Sequence, residues 1–249
     1  MADASRFRVL ASDARVREAY PRLMEGARAQ VLLTDPPYCL LTRRRKGGDL
    51  REPKGRKLDH EIVVRFDDVR AYRTFTAAWL PAALDCLVPE GLAVVWTNFL
   101  GKAPILEVAR AQGFGVLRGE YVWAKRTREV EGSEQLLRVY EVALILARTP
   151  EPERDLVTSL PVRAVVAGYD DDGEAAAWGA HPHHKPFGVI EPLVRELTRP
   201  DEWVLDPFCG SGSIPAAALR LGRRAACLEL LPEWATRVQT RLAQQASPR

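Results

Sequence analysis

The 249-residue sequence has no long hydrophobic run. Its longest unbroken apolar stretches, such as residues 142–147, fall far short of the ~20 residues that cross a bilayer. The start of the sequence, Met1-Ala2-Asp3-Ala4-Ser5-Arg6, leads into no apolar segment of the kind that directs export. Its four cysteines, Cys39, Cys86, Cys209 and Cys227, form no C-x-x-C pair, which predicts reduced, unpaired thiols in a cytoplasmic protein. Internal repeats and low-complexity tracts are missing too. An apolar fraction of 47% with 28% charged residues excludes collagen-like and wholly disordered chains. The length fits a single domain over 1–249 that buries a core without disulfides or a structural metal.

Net charge is also small, +3, but it is unevenly spread. Between Thr42 and Lys57 stand Arg43, Arg44, Arg45, Lys46, Arg51, Lys54, Arg56 and Lys57 against Asp49 and Glu52, a net of +6. The rest of the chain is therefore slightly acidic, at −3. One strongly cationic loop, 42–60, on an acidic body suits either a polyanion held at one edge or a solvated loop with no partner.

Strand-like and helix-like runs alternate throughout, the pattern of an α/β fold with a mostly parallel sheet. Strands are expected at 7–10, 30–34, 92–96, 119–123, 140–146, 203–205 and 224–228. Helices are expected at 14–20 (ending at Pro21), 69–87 (with Pro81 inside), 104–112, 187–198, 214–221 and 232–245. Residues 149–180 read as irregular, with the turn-prone Asp170-Asp171-Asp172-Gly173 among them.

Two strand exits carry chemistry. Asp35-Pro36-Pro37-Tyr38 follows the strand Val31-Leu32-Leu33-Thr34 directly, and ligands of open parallel sheets bind beyond the carboxyl ends of strands. The prolines remove backbone donors and leave carbonyls as acceptors. With the Asp35 carboxylate and the Tyr38 ring they suit a planar group bearing an –NH2, although a stiffened strand exit would look the same. The second exit is Trp203-Val204-Leu205-Asp206-Pro207-Phe208-Cys209-Gly210-Ser211-Gly212-Ser213, a strand and glycine-rich turn running into a helix. Its glycines admit a ligand close to the backbone, and free amides at the helix start favour an anionic group. Glu229 lies 23 residues after Asp206, near the ~20-residue spacing of the acid that holds a ribose diol in nucleotide-binding βαβ units. A full G-x-G-x-x-G is lacking, which disfavours a dinucleotide.

His181-Pro182-His183-His184-Lys185-Pro186 places three histidines in four residues. No cysteine or carboxylate neighbour completes a ligand set, so no metal site is expected. Lys185 is better suited as a counter-charge for a cofactor carboxylate.

Taken in order, Asp35-Pro36-Pro37-Tyr38, His184-Lys185-Pro186 and Asp206-Pro207-Phe208-Cys209-Gly210-Ser211-Gly212 resemble the beta class of amino-group DNA methyltransferases across nearly the whole chain. Leu10-Ala11-Ser12-Asp13 stands where that family tends to carry a Gly-Asp pair, and Trp123-Ala124-Lys125 with Glu141-Val142-Ala143-Leu144 resemble its middle motif. The resemblance implies a Rossmann-like methyltransferase fold with a mostly parallel seven-stranded sheet, helices on both faces and a circularly permuted motif order. It implies S-adenosyl-L-methionine as cofactor, held by Asp13, Lys185, Asp206, Phe208, Cys209, Gly210, Ser211, Gly212, Ser213 and Glu229. Asp13 would meet the adenine of the cofactor, or simply cap a helix beginning at Ala14. Asp35, Pro36, Pro37 and Tyr38 would carry catalysis on an extruded base. The aspartate form of the motif favours N6 of adenine in DNA, with N4 of cytosine or a base in structured RNA as alternatives. A non-enzymatic nucleic-acid binder on the same scaffold is disfavoured by the intact motifs.

In that context the loop 42–60 is expected to grip phosphates. The interval 149–180 is short where sequence-reading relatives carry a target-recognition region, and Ser213-Ile214 replaces the more usual paired threonines. Recognition would then rest on the basic loop, on a second copy of the chain, or on little sequence at all. A role beside a companion restriction nuclease, or without one, is compatible with the sequence.

Overall fold

The computed structural model describes residues 6–42, 64–124, 140–149, 163–167 and 184–246. All eight candidate phosphate-binding residues from Arg43 to Lys57, together with Lys125, His181, Pro182 and His183, lie outside them.

Chain order runs β1 (Phe7–Ala11), α1 (Ala19–Met24), β2 (Ala29–Thr34), α2 (Val69–Asp85), β3 (Leu87–Thr97), α3 (Lys102–Ala111), β4 (Val116–Ala124) and β5 (Tyr140–Ala147). It continues through β6 (Arg163–Ala167), α4 (Phe187–Leu197), β7 (Trp203–Asp206), α5 (Ser213–Arg220), β8 (Arg224–Glu229) and α6 (Pro232–Ala246). The strands form one sheet ordered β1-β8-β7-β2-β3-β5-β4-β6. Among the described residues only the two pairings made by β5, with β3 and β4, are antiparallel. The mostly parallel α/β architecture is as the sequence predicts, with one strand more than seven. The addition is β6, a five-residue run inside the interval read as irregular, which pairs parallel to β4 at the sheet edge.

Alternation along the strands splits the core into two layers, since successive strand side chains point to opposite faces. Leu32, Ala93, Val95, Leu144, Leu146, Leu205, Ala226 and Leu228 pack on one face with α1, α2 and α3. Val31, Leu33, Val94, Trp96, Ala143, Ile145, Val204 and Cys227 pack on the other with α4, α5 and α6. Helices therefore cover both faces, as expected. No helix among the described residues is long and apolar enough to cross a membrane.

Two boundaries differ from the sequence expectation. The first helix is Ala19–Met24 rather than 14–20, and Pro21 lies inside its first turn instead of ending it. Amides of a first turn have no intrahelical acceptor, so a proline there forfeits nothing. Strand β3 starts at Leu87 and carries Pro89-Glu90-Gly91 within it as an irregularity, Ala29 pairing with Leu87 and Val31 with Leu92. Proline cannot donate to the ladder, and the register shift accommodates it.

Candidate active site

Four parallel strand exits converge on one edge of the sheet. Val31 lies opposite Val204 and Leu32 opposite Leu205, Asp206 opposite Cys227, and Ala11 opposite Glu229. Asp13, Glu229, Asp206 and Asp35 thereby stand side by side at the carboxyl rim, where open sheets bind ligands. Beyond the pairing of their strands, a side-chain hydrogen bond joins the two motifs: the Thr34 hydroxyl donates to Asp206 Oδ1 at 2.7 Å, across 172 residues of sequence.

On the glycine-rich side, Asp206 Oδ1 also accepts from Phe208 N at 3.1 Å. Its Oδ2 is buried without a partner among the described residues. Burial raises the Asp206 carboxyl from 3.8 to about 7, against the hydrogen bonds from Thr34 and Phe208. Glu229 Oε2 accepts from Gly210 N at 2.9 Å and Oε1 from Leu231 N at 3.0 Å. Burial raises its pKa also, and each oxygen keeps further acceptor capacity. Gly212 caps α5 at φ 77°, with its Cα packed so closely on α6 that a Cβ would meet the Val238 methyls at 3.1 Å. Ser211 and Cys209 are buried, Ser211 O accepting from Arg241 Nη1 at 2.9 Å. His184 Nδ1 lies 3.3 Å from the Ser211 hydroxyl. The Phe208 ring turns away into an aromatic cluster, 5.0 Å and edge-on to Trp79.

Asp13 accepts from Arg15 N at 2.9 Å and pairs with the Arg15 guanidinium at 2.6 Å. Those bonds outweigh burial and hold its carboxyl below the usual range. It closes a turn after β1 and caps no helix at Ala14, because α1 begins five residues later.

On the other side, Asp35 leaves β2 beside Lys185. The Lys185 ammonium donates to Asp35 Oδ2 at 2.6 Å, to Glu141 Oε2 at 2.7 Å and to the Tyr38 hydroxyl at 3.2 Å. Tyr38 in turn donates to Glu141 Oε2 at 2.8 Å. Burial, with the nearby carboxylates, pushes the Tyr38 phenol well above its ordinary value, so it stays neutral. Burial would lower the Lys185 pKa, but the charges of Asp35 and Glu141 and their hydrogen bonds raise it above its ordinary value. Asp35 Oδ1 is buried and has no partner among the described residues. Behind the loop, Asn98 at the end of β3 donates to Cys39 O at 2.9 Å and fixes the run after Tyr38.

The structure thus joins Asp35, Pro36, Pro37 and Tyr38 to the glycine-rich turn, as the sequence predicts. It places the Lys185 ammonium, expected at a cofactor carboxylate, against Asp35, Glu141 and Tyr38. Glu141 belongs to the same cluster, although the sequence marks it only as part of a middle motif. Its place follows from β5 running antiparallel, so that the start of that strand reaches the rim where the parallel strands end. Chemically, the rim offers two buried carboxylate oxygens with no donor among the described residues, Asp35 Oδ1 and Asp206 Oδ2, on adjacent strands.

A family model for DNA methylases with N6 or N4 specificity matches residues 29–239. The "Putative methylase YubD" of Escherichia coli (strain K12) is 31% identical over 229 residues, covering 92% of this chain and 86% of that protein. Among solved structures, the PvuII DNA methyltransferase (cytosine-N4-specific) superposes with a TM-score of 0.68 at 18% identity, covering 95% of this chain and 86% of that one. The M1.HpyAVI–SAM complex superposes with a TM-score of 0.65 at 18% identity, covering 95% and 98%.

Proposed function

The chain belongs to the N6/N4 DNA methylase family, and from that premise we propose that it methylates the exocyclic N6 of adenine in DNA, using S-adenosylmethionine. The observation that carries this reading is the pair of donor-less carboxylate oxygens, Asp35 Oδ1 and Asp206 Oδ2, on neighbouring strand exits. Each is an acceptor whose burial is relieved when a ligand N–H arrives.

Asp206 suits the cationic amino group at the methionine end of the cofactor, Glu229 its ribose hydroxyls, and the turn Gly210-Ser211-Gly212 the close approach of its backbone. Phe208, Cys209 and Ser213 shape that turn, Asp13 borders it, and the donor-less Oδ2 is what makes these residues fit the group. When bound, S-adenosylmethionine supplies a methyl group on a cationic sulfonium centre. Asp35 Oδ1 and the Pro36 carbonyl accept the two hydrogens of the target amine. Those bonds draw the nitrogen toward tetrahedral geometry and localise a lone pair otherwise spread into the ring. Positioning then supplies most of the rate gain, with the Asp35 charge stabilising the cation that develops on nitrogen. Within a duplex the base has to leave its stack, and the Tyr38 ring offsets part of that cost by stacking. Arg43, Arg44, Arg45, Lys46, Arg51, Lys54, Arg56 and Lys57 would neutralise phosphates beside the opening. A second copy of the chain supplying sequence recognition, and a companion restriction nuclease, belong to the same reading.

The test is methyl transfer from labelled cofactor to DNA prepared from a methylation-free host, followed by nucleoside analysis. Label in N6-methyladenine is expected, with loss of more than ~10³-fold in Asp35→Ala and retained cofactor binding. Label in N4-methylcytosine would move the reaction to cytosine, label in RNA alone would move it to RNA, and absence of transfer would refute the reading.

A further inference from the structure

The cluster around Asp35 holds more charge than an amine acceptor requires. All three hydrogens of the Lys185 ammonium are committed, to Asp35 Oδ2, Glu141 Oε2 and the Tyr38 hydroxyl. The rings of Trp96, Tyr38 and Trp123 surround its Nζ at 4.9, 5.6 and 5.9 Å. The side chains of Lys185, Asp35 and Glu141 are 4%, 9% and 17% exposed. A desolvated ion cluster of this kind contributes little to stability against an apolar replacement, so its presence at a reaction centre calls for another role.

We propose that Glu141 and Lys185 are positioning residues for the transfer, Lys185 occupying one oxygen of Asp35 so that the other faces the target amine, and Glu141 holding both Lys185 and the Tyr38 ring. The inference rests on the methyl-transfer reading above and adds two residues to it. Lys185 leaves Oδ1 as the oxygen without a partner, which removes the choice between two equivalent acceptors. Glu141 receives the Tyr38 hydroxyl and the Lys185 ammonium on one atom, Oε2, so a single carboxylate orients the hydrogen-bonding and the stacking partner of the base together. Charge follows the same logic. Two carboxylates and one ammonium sum to −1, set beside an amine that becomes cationic as the methyl group arrives. Without Lys185, two carboxylates would face each other in a dry pocket and one would take up a proton; without the Glu141 charge, the cluster would be neutral.

Steady-state transfer with wild type, Glu141→Gln, Lys185→Met and the double variant separates this role from a purely structural one. Glu141→Gln keeps the shape and is expected to lower kcat by about 10–100-fold, with KM for DNA and cofactor affinity within about twofold of wild type. Lys185→Met is expected to be nearly inactive at pH 7 and to recover as pH rises, because its surviving carboxylates compete for one proton. Adding Glu141→Gln to Lys185→Met removes that competition, so the double variant should exceed the single one at pH 7. Should Lys185→Met fail to fold, the kcat-against-KM split of Glu141→Gln decides alone. Wild-type kcat in Glu141→Gln, or an effect confined to KM, would overturn the assignment, as would a double variant no faster than Lys185→Met. If wild type transfers no methyl group at all, the parent reading falls with it; a failure of this inference alone leaves wild-type transfer intact.

Discussion

If Asp206 receives the cationic end of the cofactor, as proposed, cofactor affinity should rise with pH through about 7, where its carboxyl titrates in the free fold. Asp206 is 1% exposed, and burial lifts its pKa from 3.8 to about 7. That difference corresponds to about 4 kcal/mol against the ionised form in the folded state. The stability conferred by protonation is fully present below pH ~4 and is lost as pH climbs through about 7. Ligand binding runs the other way, since a cationic amino group selects the carboxylate. At pH 5.5 about 3% of Asp206 is ionised, so the dissociation constant should be about 30-fold weaker than at pH 8.5. Binding near pH 6 should release close to one proton, readable by titration calorimetry in two buffers of different ionisation enthalpy. Asp206→Asn should bind weakly at every pH, lose most of the slope, and unfold at higher denaturant than wild type at pH 8.5. Any residual slope belongs to Glu229, whose pKa burial also raises. A dissociation constant unchanged from pH 5.5 to 8.5, or an equal slope in Asp206→Asn, would refute the assignment of Asp206 to the cofactor.

Gly212→Ala combines a left-handed φ of 77° with a Cβ 3.1 Å from the Val238 methyls, so it should cost about 1–3 kcal/mol in chemical denaturation and weaken cofactor binding by moving the turn; unchanged stability would contradict the packing described. Replacing Arg43, Arg44, Arg45 and Lys46 by alanine should weaken duplex binding and flatten its salt dependence, each lost phosphate contact reducing the log–log slope by about 0.9. An identical slope, measured by anisotropy across a sodium chloride series, would remove that segment from the interface.

What the sequence makes legible is local. Asp35-Pro36-Pro37-Tyr38 and the run from Asp206 to Ser213 each lie within one strand–turn segment, so the chemistry they suit can be read before the fold is known. The protein partners of Lys185 are not legible in this way. They depend on which strand starts at the rim beyond β3, and the antiparallel entry of β5 brings Glu141 there; nothing within six residues of Lys185 encodes that. The first helix is displaced because proline is read as a terminator when position within the helix decides its effect. Strand β6 escapes notice because a five-residue run, Arg163 followed by four small or β-branched residues, carries little periodicity.

Thr34 stands between the two carboxylates. Its hydroxyl has one hydrogen, given to Asp206, while its main chain leads straight into Asp35. Asp206 and Asp35 are therefore linked through one residue, and a ligand that draws on Asp206 would act on the tether that leads into Asp35. Thermodynamic linkage makes such communication mutual: whatever factor the methyl donor contributes to nucleic-acid affinity, nucleic acid returns to the donor. Any fixed sequence of substrate addition would then reflect rates of access, with both routes leading to the same ternary complex at the same total free energy.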